Sequence, residues 1–508
     1  MRPPLGPPPG ALSAAEQAIM TRIRRAQWFV FLRHHRHVLF SESFQHALGT
    51  LYKDGPQGQP PVPPAPLALA TLLQASSSVS EDEVMEATTM ERRWQMGLDC
   101  LDGNTPPCSK GTLVAFRHHL LAPEMDRRLL ERPVEIAAAS GSCGPRQWRA
   151  ALDSSPRWGA GRGEDTYNLL GHALRKAVRV IARQQGRGLT AVAGEAGAAV
   201  IAGASVQAAL ALDWDAPSAP PPALTTSLDA LQAVEPWRDT QPLEEETPSR
   251  AVASLAVAPQ GCPQDLTPPP AGTPTMGHGV AADRRMSVDD AEMRHGRKSR
   301  SRLVDGYKRH GLRDLERQRM VAGGVPPANV PEASVTDAIA PDLAAQKSPL
   351  QAWHIDRASW ASTLGQQRTE DRAIFCQAWP VRPGPYVPTR ACQLDWERHA
   401  WRCPGGETMP CEPGGVVKFP ARLCAHCALR SRCTTRASGR SLSMHPDDAL
   451  LQGLRERQQT SQGRAQWRER VAVEHALAHI GRWQGRRARY RGVRKNVFDL
   501  RRCAGVHH

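Results

Sequence analysis

The 508-residue sequence predicts a mixed α/β protein preceded by an all-α N-terminal region. Three observations carry this. Apolar residues recur at helical spacing through most of residues 12–135. Runs that read as strands, two of them ending in an acid, begin only after residue 145. Two stretches of different composition, one Pro/Ala-rich and one Cys-rich, interrupt that second pattern.

In chain order, residues 1–10 form a Pro/Gly-rich leader without the apolar core of a signal peptide. Phe40, Phe44, Ala47, Leu48 and Leu51 follow a helical period. Residues 60–66 (PPVPPAP) read as a rigid extended connector feeding the buried helix of residues 67–73. Ser80, followed by Glu81, Asp82 and Glu83, reads as an N-cap with acids in the first turn. Residues 112–121 (TLVAFRHHLL) predict a further short helix. Residues 146–153 (RQWRAALD) predict a strand ending at Asp153, then a Ser/Pro/Gly-rich turn over 154–163 and a helix over about 167–183. Residues 186–240 read as Ala/Leu-rich helices broken at 217–222, and residues 241–285 as a linker without periodicity. Residues 305–314 and 320–325 predict a strand pair. Residues 352–356 (AWHID) predict a strand ending at Asp356, and a basic helix beginning near Gly463 contains Glu474.

Composition narrows the function. The net charge is +15, and of 65 basic residues 57 are Arg. Guanidinium groups fork onto phosphate, so the excess favours a polyanion such as nucleic acid, although a GC-rich genome also writes an Arg-, Ala- and Pro-rich chain. The longest Ala/Val-rich run, residues 191–212, is broken by Glu195 and Gln207 and falls short of the ~20 apolar residues a membrane span needs. These features predict an intracellular, cytoplasmic protein. Twelve Cys then point to metal ligands or buried thiols before disulfides, and five fall between Cys403 and Cys433.

The chemistry rests on Asp153, Asp356 and Glu474. In open α/β sheets, sites form beyond the carboxyl ends of strands. Three carboxylates converging there can hold two divalent ions, which activate a water or hydroxyl oxygen and stabilise the leaving oxygen of a phosphodiester. Carboxylates suit Mg²⁺. Any single acid is weak evidence for this; the context decides.

That context is a resemblance. Residues 60–73 (PPVPPAPLALATLL), 80–86 (SEDEVME), 93–101 (RWQMGLDCL) and 109–120 (SKGTLVAFRHHL) come first. They are followed by 152–170 (LDSSPRWGAGRGEDTYNLL), 290–310 (DAEMRHGRKSRSRLVDGYKRH), 354–362 (HIDRASWAS) and 473–502 (VEHALAHIGRWQGRRARYRGVRKNVFDLRR). In this order they resemble the DDE-type transposases of bacterial insertion sequences that carry an InsH-like N-terminal domain. The resemblance implies an RNase H-like catalytic domain with Asp153, Asp356 and Glu474 as its catalytic, metal-holding acids and Mg²⁺ (or Mn²⁺) as cofactor. It divides the chain into a leader (1–10), a helical DNA-binding domain (11–140) and a first catalytic part (141–172). A helical insertion and Pro-rich linker (173–285), a second catalytic part (286–390), a Cys-rich zinc-binding insertion (391–440) and a final catalytic part (441–508) complete it. It also implies binding to terminal inverted repeats and target DNA, strand cleavage followed by strand transfer, a homodimer in the DNA complex, and a place beside the bacterial nucleoid.

Some positions depart from the family. Trp467, Arg470 and Glu474 share a face on a continuous helix, but Trp467 stands where the family has Tyr, and Gly481, beside Arg482, where it has Lys. After Asp356 the family has Arg-Ala-Tyr-Leu; here Ser359 and Trp360 take the last two places. These departures favour the alternative of an inactive or domesticated copy acting as a zinc-stabilised DNA-binding protein; a nuclease that cuts without joining is another. The Cys spacing contains a C-x2-C pair flanked by further Cys, a tetrahedral zinc pattern. The family positions select Cys403, Cys424, Cys427 and Cys433, with Cys411 and His426 as substitutes. Basic residues interleaved with aromatics suit DNA contact, and Arg297, Lys298, Lys308, Arg470, Arg482, Arg489 and Lys495 are the candidates.

Overall fold

The structure, a computed structural model, describes residues 2–6, 8–53, 60–122, 125–139, 148–203, 205–210, 213, 220–242, 265–267, 275–277, 279–299, 301–346, 349–367, 372–379 and 385–507. The chain divides into two compact units. One comprises Met1–Arg146, Asp153–Ser348 and Val473–His508; the other comprises Gln147–Leu152 and Pro349–Ala472. The dividing line falls inside strand β1 (Trp148–Trp158), which therefore serves both.

In the first unit the N-terminal region is all helical, as its periodicity predicts. At its centre lies Pro64–Ser77, buried from Leu67 to Ala75. Pro64 and Pro66 form the helix's first turn, where a missing N–H costs nothing, so the expected connector of residues 60–66 ends at Pro63. Glu81–Met90 starts as expected: Ser80 accepts from Glu83 N at 3.2 Å, and Glu83 Oε2 accepts from Ser80 N at 2.6 Å. Two fully buried arginines tie helices together. Arg33 bonds Glu16 Oε2 at 2.7 Å, and Arg36 reaches Asp99 at 2.7 Å and the Met96 carbonyl at 2.7 Å.

Strand β1 runs on past Asp153 to Trp158, so Asp153 lies mid-strand and the turn expected over 154–163 begins only after residue 158. Tertiary pairing overrides the Ser-Ser-Pro sequence. Gly159 N donates to Asp305 O at 2.8 Å and Arg309 Nε to Ser155 Oγ at 2.8 Å. Two very short strands follow, β2 (Leu266–Thr267) and β3 (Thr275–Met276). Then β4 (Arg294–Arg297), β5 (Leu303–Asp314) and β6 (Arg319–Gly324) pair antiparallel, with β5 also bonded to β1. The helix Thr166–Gln184 matches its prediction and buries one side, including Leu170, Leu174, Val178 and Ile181. Its partners include Val192, Ile201 and Val234 of the following helical segments. Of the expected linker, residues 243–264, 268–274 and 278 lie outside the described residues. The part that is described is anchored: Arg284 Nε bonds buried Asp265 at 2.7 and 2.8 Å, and Thr166 Oγ1 donates to it at 2.5 Å.

The last helix, Val493–Gly505, closes this unit. Asp499 is buried and accepts from Arg157 of β1 at 2.8 Å, from Arg502 at 2.7 and 2.9 Å and from Gln484 Nε2 at 2.9 Å. Arg502 continues to Gln74 of the central N-terminal helix at 2.9 Å, and Arg117 reaches the same Gln74 oxygen at 2.8 Å. Burial alone would raise the Asp499 pKa, but Arg502 and Arg157 more than reverse this, and the carboxyl is held below its usual range.

In the second unit, residues 148–151 of β1 pair parallel with β7 (Leu350–Ile355), and β7 pairs parallel with β8 (Ala373–Cys376). With the antiparallel β4–β6, the strands are of mixed direction, consistent with an RNase H-like core. Buried His354 stacks on Phe375 at 4.6 Å. A separate antiparallel layer follows: β9 (Gln393–Asp395), β10 (Ala400–Arg402), β11 (Thr408–Pro410), β12 (Val416–Pro420) and β13 (Gly439–Ser443). Its core is Trp401, Val417, Phe419, Leu442 and Met444, with Cys392 and Cys411. The basic helix expected from Gly463 is two helices, Ser461–Arg468 and Val471–Gln484, broken at Glu469 and Arg470. Trp467, Arg470 and Glu474 therefore do not share one continuous helix. No described helix is long and apolar enough to cross a membrane.

Asp499→Asn leaves two buried guanidinium groups without their counter-charge. Breaking such a pair costs about 3–5 kcal/mol, read as a lower urea midpoint at pH 7. Because the folded pKa of Asp499 is depressed, its stabilisation is complete above the unfolded carboxylate value of ~3.9 and is lost as pH falls through the folded value. The variant should lack this component of acid destabilisation.

Candidate functional site

In the first unit, β1, β5 and the helix Val471–Gln484 line an open cavity of about 610 Å³. Asp153 and Ser155 come from β1, Arg309 from β5, and Glu474, Gly481 and Arg482 from the helix and its last turn. The spacing 474, 478, 481 and 485 keeps one side of the helix toward the space. Packing is close at a glycine. A Cβ on Gly311 would stand 2.2 Å from Met320 Cε and 2.9 Å from Leu477 Cδ2, so a larger residue at this point of β5 would make those side-chain ends move.

Asp153 and Glu474 thus share a cavity although they lie far apart in sequence. The Asp153 carboxylate has a cation nearby, Lys298 Nζ at 4.0 Å. The same ammonium donates to the Ser154 hydroxyl and to Glu332 at 3.1 and 3.2 Å. Arg309 donates to Ser155 Oγ and, through Nη1, to Gln484 Oε1, each at 2.8 Å. Burial, reinforced by Arg157, pushes its pKa down to about 10, which leaves it charged at neutral pH. A Cβ on Gly481 would stand 2.9 Å from Arg309 Nη2; the position where the resemblance leads one to expect Lys is occupied from the facing strand by Arg309. At the rim, the Arg486 guanidinium lies 5.7 Å from the Trp158 ring centre. Residues 486–488 extend the edge of β1, with Ala488 N donating to Trp158 O at 2.7 Å.

In the second unit, Asp356 follows β7 directly, as expected for a strand-terminal acid. Its Oδ1 accepts from Ser359 N at 3.0 Å and Ser359 Oγ at 2.9 Å, capping the turn Arg357–Ser359. The parallel register of β1 and β7 pairs Ala151 with His354. The four selected cysteines line a small cavity of about 30 Å³ in the same unit. Cys403 and Cys427 both lean over Gly405, where a Cβ would meet their sulfurs at 3.5 and 2.9 Å. Cys433 Sγ lies 3.0 Å from Arg440 Nη1. Neither alternative ligand lines this cavity: Cys411 is buried in the adjoining core and His426 is exposed. Among the described residues, no three or more His, Cys, Asp or Glu groups are gathered so as to hold a metal ion.

The basic candidates are placed unevenly. Arg297, Arg482, Arg489 and Lys495 are exposed, and Arg489 also donates to the Val79 carbonyl at 3.0 Å. Arg470 is half-buried. Lys298 serves Asp153 and Glu332. Lys308 is buried with Nζ on the Val330 carbonyl at 3.1 Å, so it holds a loop instead of facing solvent. Sequence reasoning missed the roles of Ser155, Arg309 and Glu332, which only strand pairing brings to the site. It also missed Cys392, a buried thiol whose pKa is pushed up by burial, against the opposing pull of Arg440.

Residues 403–506 match the family described as Transposase DDE domain, and residues 19–119 match the Transposase domain (DUF772). No curated protein and no solved structure matches the chain. The two domains define a transposase. The chain belongs to the insertion-sequence transposases that join this N-terminal domain to a DDE domain. The DDE match contains Glu474 and the four selected cysteines, whereas Asp153 and Asp356 precede it.

Arg309→Met should leave Ser155 Oγ and Gln484 Oε1 without their donor. A loss of about 1–3 kcal/mol in folding stability is expected, checked by denaturant unfolding at neutral pH.

Proposed function

We propose that this transposase cuts and joins DNA strands at the ends of its element, with Asp153, Asp356 and Glu474 as its acids. The observation supporting this most strongly is the cavity shared by Asp153 and Glu474, with Arg309, Arg482 and Arg486 around it. Asp356, which follows β7, is the third acid of this reading by its place in the sequence pattern. Carboxylate oxygens are hard donors that fit Mg²⁺ or Mn²⁺ in chemistry. Such an ion supplies activation of an oxygen nucleophile and stabilisation of the leaving oxygen. The protein's own part is to position DNA. Arg482 and Arg486 present forked donors to backbone phosphates at the mouth, while buried Arg309 adds fixed positive charge behind them. Lys298 places a positive charge 4.0 Å from the Asp153 carboxylate. Terminal inverted repeats and target DNA are the proposed partners, with a homodimer as the complex that brings two ends together.

Asp153→Asn and Glu474→Gln test this reading. Each should keep the thermal unfolding of the parent chain and lose strand joining by about 10³-fold or more, measured with labelled element ends and Mg²⁺. Joining at the parental rate in either variant overturns the assignment. A second reading, a DNA-binding protein that no longer cleaves, is favoured by Ser359 and Trp360 in the places of Tyr and Leu. It requires the parent chain to bind element ends yet give no product with Mg²⁺ or Mn²⁺.

We further propose one structural Zn²⁺ on Cys403, Cys424, Cys427 and Cys433. Support comes from four soft donors around one cavity in a layer with a small apolar core; they are not drawn together as a ligand set here, so binding would have to close them on the ion. Elemental analysis should find about one zinc per chain, and chelation should lower the unfolding temperature of this unit. Metal-free protein of unchanged stability would exclude the ion.

A further inference from the structure

We propose a second DNA-backbone site, along the exposed side of the helix Thr166–Gln184, built from residues other than those of the acid cavity. The inference rests on the transposase reading above. The helix has five basic side chains, His172, Arg175, Lys176, Arg179 and Arg183, and no acid in 19 residues. Their spacing gathers them on one side, while Ala173, Leu174, Ala177, Val178 and Ile181 fill the opposite side with core. The basic side lines an open cleft of about 400 Å³ whose other wall includes Val288 and Asp289.

A charged helix side is ordinarily just solvated, and it then mixes signs in pairs three or four residues apart. This one does not. The two acids in the cleft are already committed: Glu164 bonds His172, and Asp289 pairs with Lys176 at 3.0 Å and with Arg491 at 3.4 Å. Arg175 is half-buried and donates to the Ala202 carbonyl at 3.2 Å. Arg179 and Arg183 are exposed, and among the described residues neither has an ion pair. The helix dipole explains a cation in the last turn, such as Arg183, but its effect fades within that turn and does not reach Arg175 or Arg179.

The geometry fits one strand of a duplex. From Arg175 to Arg183 the helix rises about 12 Å at 1.5 Å per residue. Phosphates of one strand advance about 3.4 Å each along the DNA axis, so the row spans roughly three or four of them. Arginine forks match phosphate oxygens. Contacts of this kind fix register and carry no base information, so the site serves any sequence.

The test is the salt dependence of binding to a 30-base-pair duplex, followed by fluorescence anisotropy between 50 and 200 mM NaCl. The double variant Arg179→Gln, Arg183→Gln should flatten the slope of log Kd against log salt by about 2, with unfolding temperature unchanged. The charge-preserving pair Arg179→Lys, Arg183→Lys should keep the parental slope. A Gln variant with parental slope and affinity overturns the proposal, as does an equal loss in the Lys variant. Asp153→Asn separates the two readings. If it still joins strands while the Gln variant loses its slope, the catalytic assignment fails and this site stands.

Discussion

One buried carboxylate, Asp499, holds the first unit together. It receives Arg157 from the strand that carries Asp153, Gln484 from the end of the helix that carries Glu474, and Arg502 from its own helix. A lone buried anion would be costly, and two guanidinium groups around it remove that cost only if their geometry is kept. The position of the strand and the position of the helix are thus set by the same oxygens. Arg309 extends the arrangement, since Gln484 bonds Asp499 through its nitrogen and Arg309 through its oxygen. The hydrogen-bonded chain from the buried centre to the cavity wall contains no flexible surface residue.

The cavity carries charge of both signs under tight control. Asp153 has Lys298 at 4.0 Å, but that ammonium is shared with Glu332. Arg309 stays charged at neutral pH although burial and Arg157 push its pKa down to about 10, and two of its nitrogens are hydrogen-bonded to Ser155 and Gln484. Gly481 leaves space for that guanidinium, so a position that departs from the family's Lys still has a cation over it, supplied from the facing strand. The cysteine-lined cavity is built differently, from a small apolar core with thiols on its border.

Local signals were legible in the sequence, and non-local ones were not. The Ser80 cap, the 166–184 helix, the β5–β6 pair and the strand before Asp356 all depend on residues within a few positions of one another, and each appears where it was expected. The Asp153 strand runs longer than expected because Ser154, Ser155 and Pro156 look like a turn; bonds from Arg309 and to Asp305 keep the strand going. Helix 64–77 starts early because proline suits a first turn as well as a connector. Charged residues mislead most. Lys308 is a DNA-contact candidate by sequence, yet it is buried with Nζ on the Val330 carbonyl of another segment. Asp153, Asp356 and Glu474 are proposed from the sequence pattern, whereas the contacts of Arg309, Ser155 and Glu332 come only from strand pairing.

The bond between Gln74 and Arg502 spans 428 residues. Translation at about 5–20 residues per second puts roughly 20 to 90 seconds between the emergence of its two ends. During that interval the central N-terminal helix has a buried amide without its later partner and an apolar side without the Val493–Gly505 helix. Synthesis order therefore delays completion of the N-terminal region until the end of the catalytic region has been made. A chain that stopped before Val493 would leave the apolar side of the central N-terminal helix uncovered.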